Sequence, residues 1–191
     1  MKIHRLMATA TLAAASGAAL AHPGHETASF ATGFAHPFGG VDHLLAMFAV
    51  GLYAARQPGA ARWALPAGFV AAMLAGAGVS AAGLVLPAVE SGIALSVLVF
   101  GLLIAFAARL PLPASLSLVA GFALFHGFAH HAEMGGAALV TYAAGFALAT
   151  AALHGCGYLL ARWMPESTLA QGVKRAAGAC IAGVGVVLLG T

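Results

Sequence analysis

The chain has 191 residues, of which 62% are hydrophobic and only 7% charged, and its net charge is +3. A soluble domain carries roughly 25% charged residues, so five acids and eight bases cannot cover a water-exposed surface of this size. The bases are scattered along the sequence, which excludes the clustered basic face of a nucleic-acid-binding protein. The composition therefore predicts an all-α, polytopic membrane protein that is surrounded by lipid.

The first segment is typical of a cleavable secretory signal peptide. A short basic start, Lys2–Arg5, precedes an apolar stretch that ends in an A-x-A cleavage pattern at Ala21. The alternative is an uncleaved first transmembrane helix, which the shortness of the stretch and the polar residues after it disfavour. We expect a signal peptide over residues 1–21 and a single transmembrane domain over residues 22–191, so that His22 becomes the N-terminus.

Six further apolar stretches approach the roughly 20 residues that a helix needs to cross a bilayer. Cys156 and Cys180 lie in two of them without metal-type or disulfide-type spacing, so we interpret both as small buried apolar side chains. The predicted transmembrane helices are Phe38–Ala55, Trp63–Ala82, Ile93–Ala108, Ala114–His131, Ala137–Leu160 and Val173–Leu189.

The lysines and arginines orient these six helices. Beyond the signal segment they follow the first, third and fifth helices, at Arg56, Arg62, Arg109, Arg162, Lys174 and Arg175. The loops after the second and fourth helices contain no base and carry Glu90 and Glu133 instead. The positive-inside rule makes the basic loops cytoplasmic. Both termini of the mature chain are then periplasmic, and the protein is expected in the inner membrane of a bacterium as a multi-pass protein.

Nine histidines outnumber the acids, and several lie inside apolar runs. Ionisable side chains are costly inside a membrane and usually serve a function there. One group, His36, Asp42 and His43, enters the first predicted helix, where a spacing of seven residues would put both histidines on nearly one helical face. Pro37 and Gly39-Gly40 predict that this helix is broken or starts late, which exposes backbone groups to a cavity. Asp42 can ligate a metal or orient His43.

A second group leaves the fourth predicted helix. His126, His130 and Glu133 follow i, i+4, i+7 spacing and share one helical stripe, whereas His131 is rotated off it and suits a head-group or loop role. Glu90, just before the third helix, forms a third group. The predicted topology places all three groups at one level toward the periplasm. Imidazole with carboxylate suits nickel, zinc, copper or iron and disfavours magnesium or calcium.

Other histidines allow two interpretations. His154 is alone in the cytoplasmic half of the fifth predicted helix, where an interhelical hydrogen bond explains it as well as metal ligation does. His22 and His25 form either a mobile metal-collecting arm or a solvated tail. Phe69, in the second helix, is by itself typical of a packing residue.

Two segments resemble the signatures of a known family: HPFGGVDHLLAMFAVGL at residues 36–52 and FHGFAHHAE at residues 125–133. They are similar to the HupE/UreJ family of nickel permeases, which is associated with hydrogenase and urease maturation. The first family signature, His, five residues, then Asp-His, is matched in full. The second, Phe-His-Gly-x-Ala/Val-His-Gly-x-Glu, is matched except that His131 replaces a glycine. The resemblance covers essentially the whole mature chain.

The resemblance implies a permease, not an enzyme, that takes Ni²⁺ from periplasm to cytoplasm for metalloenzyme maturation, with Co²⁺ or Zn²⁺ as other candidate ions. Its implied partners are membrane lipid, the metal ion and cytoplasmic hydrogenase or urease maturation proteins. Two alternatives stay open, an intramembrane zinc-dependent hydrolase and a haem-binding electron carrier. The candidate metal residues are His36, Asp42, His43, Glu90, His126, His130 and Glu133, with Phe69, His22, His25 and His131 in support.

Overall fold

The computed structural model describes residues 29–134 and 139–191. The predicted signal peptide, His22 and His25 therefore lie outside the described residues. Within the described ranges the chain is all-helical, as the composition predicts, and a short 3₁₀ turn, His36–Phe38, joins the first two helices. The helices are α1 (Phe30–Ala35), α2 (Val41–Ala54), α3 (Ala61–Ala81), α4 (Val89–Ala105), α5 (Leu112–Glu133), α6 (Leu139–Trp163) and α7 (Thr168–Leu189).

Capping side chains determine where two helices, α1 and α7, begin. The Ser29 hydroxyl accepts a hydrogen bond from the Thr32 amide at 3.1 Å and starts α1. The Ser167 hydroxyl accepts from the Ala170 amide at 3.2 Å and starts α7. Both hydroxyls satisfy amides that have no carbonyl partner in the first helical turn. These two helices therefore begin where the local sequence favours a start.

Four helices of the described ranges, α3, α5, α6 and α7, are long and apolar enough to cross a membrane. A fifth candidate is a bent pair: the segment through α1 and the 3₁₀ turn meets α2 at a bend of 85°, as in a broken span or a re-entrant loop. The sequence predicts such a break from Pro37 and the two glycines that follow it. α4 is apolar but has 17 residues, which gives it a length of about 25 Å. The described residues thus include four helices that could cross a membrane, whereas six complete crossings stay a prediction.

Glycines let pairs of helices pack with their backbones in contact. Where α3 crosses α5, Gly76 lies against the backbone of Leu124, and Gly127 lies against the backbone of Met73, so neither position has room for a Cβ atom. Small residues of this kind are typical of helix interfaces in membranes. Equivalent contacts join α2 to α6 and α4 to α7, at Gly51, Gly157, Gly101, Gly178 and Gly185.

The interior contains large side chains, including Met47, Phe69 and Phe100, that are fully buried. Cys156 and Cys180 are instead exposed on the outer surface of the bundle. The prediction that these cysteines are buried is wrong. In a membrane protein the lipid-facing side of a helix is as apolar as its packed side, so an apolar neighbourhood does not distinguish the two.

The basic side chains gather at the end of the bundle that lies away from the histidines at the start of α2. Arg56, Arg109, Arg162 and Lys174 line one polar cavity of about 390 Å³ at this end. Burial, together with the nearby charges of Arg109 and Arg175, lowers the pKa of Arg56 from its usual value. The structure thus collects at one end the bases that the sequence predicts on one side of the membrane.

Candidate metal centre

Four histidines meet where the start of α2 lies against the end of α5. The ring centroid of His43 is 4.4 Å from that of His130 and 5.0 Å from that of His126. The ring centroid of His36, in the 3₁₀ turn, is 4.7 Å from that of His130. His36 and His43 do not share one continuous helical face, because the chain bends between them. They come together because both contact His130.

Three of the four imidazoles are almost removed from solvent. The exposed fraction is 0% for His126, 3% for His130 and 8% for His43, and His36 is half-buried. Among the described residues, no hydrogen-bond partner exists for Nε2 of His43, Nε2 of His126 or either nitrogen of His130. A buried nitrogen without a partner costs about 1–3 kcal/mol. A cation that accepts the nitrogen lone pair would remove this cost.

Hydrogen bonds orient two of these rings so that Nε2 carries the lone pair. Nδ1 of His43 lies 2.7 Å from Oδ1 of Asp42, and Nδ1 of His126 lies 2.9 Å from the carbonyl oxygen of Phe122. Because a carboxylate and a carbonyl oxygen only accept, each Nδ1 is the protonated nitrogen, an assignment that rests on the hydrogen-bond network. Carboxylates placed in this way orient histidine ligands and raise their basicity. Asp42 is therefore positioned to act through His43.

The four imidazoles do not form a ready-made coordination shell. The rings contact each other at steep angles, 65° for His43 with His130 and 86° for His36 with His130. Across the described ranges, no group of three or more His, Cys, Asp or Glu side chains is arranged so that it could hold a metal ion. The arrangement thus differs from the closed four-ligand shell of a structural zinc site.

Aromatic side chains of α6 pack against the cluster. The ring centroid of Phe146 is 3.7 Å from that of His130, and the ring centroid of Tyr142 is 5.9 Å from that of His36. Neither residue is predicted from the sequence. In the sequence, these two residues stand out only by their i, i+4 spacing, which places two aromatic rings on one face of α6. That spacing does not say what the rings contact.

Phe69 lies between the cluster and a deeper histidine. Its ring centroid is 5.5 Å from that of His126 and 5.0 Å from that of His154, and its side chain is fully buried. The sequence pattern alone suggests only a packing role for Phe69. The structure gives it two histidine neighbours from different helices.

The remaining predicted residues lie elsewhere. The start of α4 is beside the end of α5, where Gly92 contacts the ring of Phe125, and this places Glu90 at the same end of the bundle with an exposed side chain. Nδ1 of His131 lies 2.9 Å from the hydroxyl oxygen of Ser80 on α3, so this ring leaves the stripe as predicted. Glu133 is the last residue of α5, and its side chain is outside the described part of the structure.

Comparisons with known proteins show the family of the chain. The family model described as HupE / UreJ protein matches residues 10–188. The protein named HupE from Rhizobium leguminosarum bv. viciae is 40% identical over 190 residues, which cover 99% of each chain. No solved structure matches the chain. The chain therefore belongs to the HupE/UreJ family, whose members are nickel- and cobalt-associated transporters and accessory permeases, not enzymes.

Proposed function

We propose that this protein is a permease that carries Ni²⁺, with Co²⁺ as a second substrate, from the periplasm to the cytoplasm across the bacterial inner membrane. The observation that carries the proposal is the cluster of four imidazoles, in which buried nitrogens of His43, His126 and His130 have no hydrogen-bond partner among the described residues. The basic end of the bundle would face the cytoplasm, so the cluster would face the periplasm.

The donor chemistry supports a late first-row transition metal as the substrate. Neutral imidazole nitrogens suit nickel, cobalt, zinc and copper, whereas magnesium and calcium prefer oxygen ligands and retained water. The metal-affinity order alone does not choose nickel. Family membership favours nickel and cobalt among these ions.

A donor set that is not a closed ligand shell is compatible with transport, because a transported ion must leave as readily as it arrives. In this proposal Glu90 and Glu133 attract the hydrated cation at the periplasmic mouth. His36 and His130 then replace part of its water shell, and His43 receives it with Asp42 behind the ring. His126, fully buried, is the innermost member of the cluster.

The membrane potential is a sufficient driving force for this transport. One charge moving across about 100 mV gains roughly 2.3 kcal/mol, so a divalent cation moving inward gains roughly 4–5 kcal/mol. Hydrogenase or urease maturation proteins in the cytoplasm would then consume the ion. Facilitated diffusion therefore meets the energetic requirement.

Uptake of radiolabelled nickel into proteoliposomes tests the proposal. We expect uptake above that of protein-free vesicles, suppressed by competing Co²⁺ and abolished by His43→Ala without loss of reconstitution. Uptake equal to protein-free vesicles would overturn the permease. The zinc hydrolase alternative is not retained, because the family consists of transporters. A Soret band in the purified protein would favour the haem-binding alternative instead.

A further inference from the structure

His154 is a buried histidine that lies outside the four-histidine cluster. It lies on α6 with 2% of its side chain exposed, and neither Nδ1 nor Nε2 has a hydrogen-bond partner among the described residues. The sequence is consistent with an interhelical hydrogen bond from this ring, but no such bond is present in the described part of the chain. Two unpaired nitrogens in a membrane interior are costly. Both nitrogens are therefore available to bind a ligand.

A single aromatic ring separates His154 from the cluster. Phe69 contacts His126 on one helix and His154 on another, at centroid distances of 5.5 and 5.0 Å, and no part of its side chain is exposed. A change in the Phe69 side-chain rotamer is thus the smallest motion that would connect the two histidine environments. Such rotamer changes need no movement of a whole helix.

Polarisable donors continue inward beside this ring. The hydroxyl of Thr150, one helical turn before His154, lies 3.3 Å from the sulfur of Met47 and 3.6 Å from the sulfur of Met73. Met47 is one turn after His43 on α2, and Met73 is one turn after Phe69 on α3. Thioether sulfur is a soft metal ligand. The interior between the cluster and His154 is therefore not purely hydrocarbon.

His154 also lines an apolar cavity of about 540 Å³ between α3 and α6, which is open to the outside of the bundle. The cavity reaches Arg62 and Trp63 at the start of α3 and Tyr158, one turn after His154 on α6. These residues lie toward the basic end of the bundle, away from the cluster. His154 thus has the cluster beyond Phe69 on one side and a cavity toward the proposed cytoplasmic end on the other.

We infer that His154 is an inner metal-binding position that receives the divalent cation from the four-histidine cluster past Phe69 and passes it toward the cytoplasm. The inference rests on the proposed permease function and extends it, because it assigns an exit position to an ion that the cluster captures. Met47, Met73 and the Thr150 hydroxyl lie along the transfer. The ion remains divalent throughout, and ligand exchange is the only chemistry.

Comparing binding with uptake tests this inference. For His154→Gln, we expect equilibrium nickel binding to the purified protein within twofold of wild type, because the cluster is intact, and uptake into proteoliposomes reduced at least tenfold. Ser96→Ala is the control for a buried polar side chain, since the Ser96 hydroxyl donates to the carbonyl oxygen of Ile93 within α4, and it should retain both properties. Uptake by His154→Gln within twofold of wild type would overturn the inner position and leave the permease standing. Absence of uptake by the wild type would instead overturn the permease.

A thiol placed at the inner position gives a direct spectroscopic test that does not depend on uptake. His154→Cys, in a background with Cys156→Ala and Cys180→Ala, should develop a thiolate-to-cobalt charge-transfer band when Co²⁺ is added. The variant that keeps Cys156 and carries only Cys180→Ala is the control, because the Cys156 thiol is exposed on the outer surface of the same helix. A band in His154→Cys alone supports the inference, whereas no band, or equal bands in both variants, overturns it.

Discussion

The imidazole of His43 packs against that of His130 with ring centroids 4.4 Å apart, and this pair joins the start of α2 to the end of α5. Both rings are at least nine-tenths buried, and their Nε2 nitrogens have no hydrogen-bond partner among the described residues. Packing alone does not require two imidazoles here, since apolar side chains of similar volume would avoid the cost of burying polar nitrogens. The pair is therefore the natural place to test ligation.

Adjacent histidines of α5 provide a matched comparison for that test. We expect His130→Gln to lower nickel uptake about tenfold or more, because a ligand is lost from the centre of the cluster. His131→Gln should leave uptake close to wild type, because His131 pairs with Ser80 on α3. Initial uptake rates, normalised to reconstituted protein, measure both effects. Equal rates for the two variants would remove His130 from the pathway.

Asp42 is predicted to act through the ring of His43. In Asp42→Asn the charged acceptor 2.7 Å from Nδ1 is lost, so the ring becomes less basic and less strongly oriented. Loss of such a partner lowers metal affinity about 10–100-fold in other sites. Calorimetric titration with nickel measures the change. Glu166→Gln, an exposed acid at the basic end, is the control and should bind like wild type. Unchanged affinity in Asp42→Asn would mean that His43 needs no orienting carboxylate.

Much of the centre was predictable because local spacing and charge bias determine it. The i, i+4 spacing puts His126 and His130 on one face of α5, and Pro37 predicts the bend before α2. The distribution of bases predicts which helix ends lie together, and the structure does bring His36 and His43 to His130. Each of these features depends on a short segment or on a rule that acts on whole loops.

The rest depends on contacts between distant helices, which no local pattern records. The ring of Phe146 covers His130 from α6, and Phe69 contacts His154 as well as His126. The exposed side of Cys156 is equally hidden from sequence reasoning, since lipid-facing and packed positions are both apolar. Rotation of each helix about its own axis is the missing information, and tertiary packing sets it.

Gly127 provides a test of that packing, because its missing side chain lets α5 contact α3 beside His126. A Cβ atom at this position would overlap the backbone of Met73, so Gly127→Ala must separate the two helices. We expect a loss of about 1–3 kcal/mol of stability, as overpacked interiors show, seen as a lower thermal midpoint in detergent. Gly121→Ala, on the same helix with open space around it, should unfold at or above the wild-type temperature. Similar midpoints for both variants would contradict the backbone contact.

The proposed orientation can be tested with single cysteines on opposite loops. Val85 is 88% exposed between α3 and α4, and Ala60 is exposed before α3. The bases that follow α2, α4 and α6 would place the loop that contains Ala60 in the cytoplasm. In a background with Cys156→Ala and Cys180→Ala, a membrane-impermeant thiol reagent that reaches the periplasm should label Val85→Cys in intact cells. It should label Ala60→Cys only after lysis. The reverse pattern would invert the bundle, and the four-histidine cluster would then be the cytoplasmic exit for the ion, with His154 on the periplasmic side.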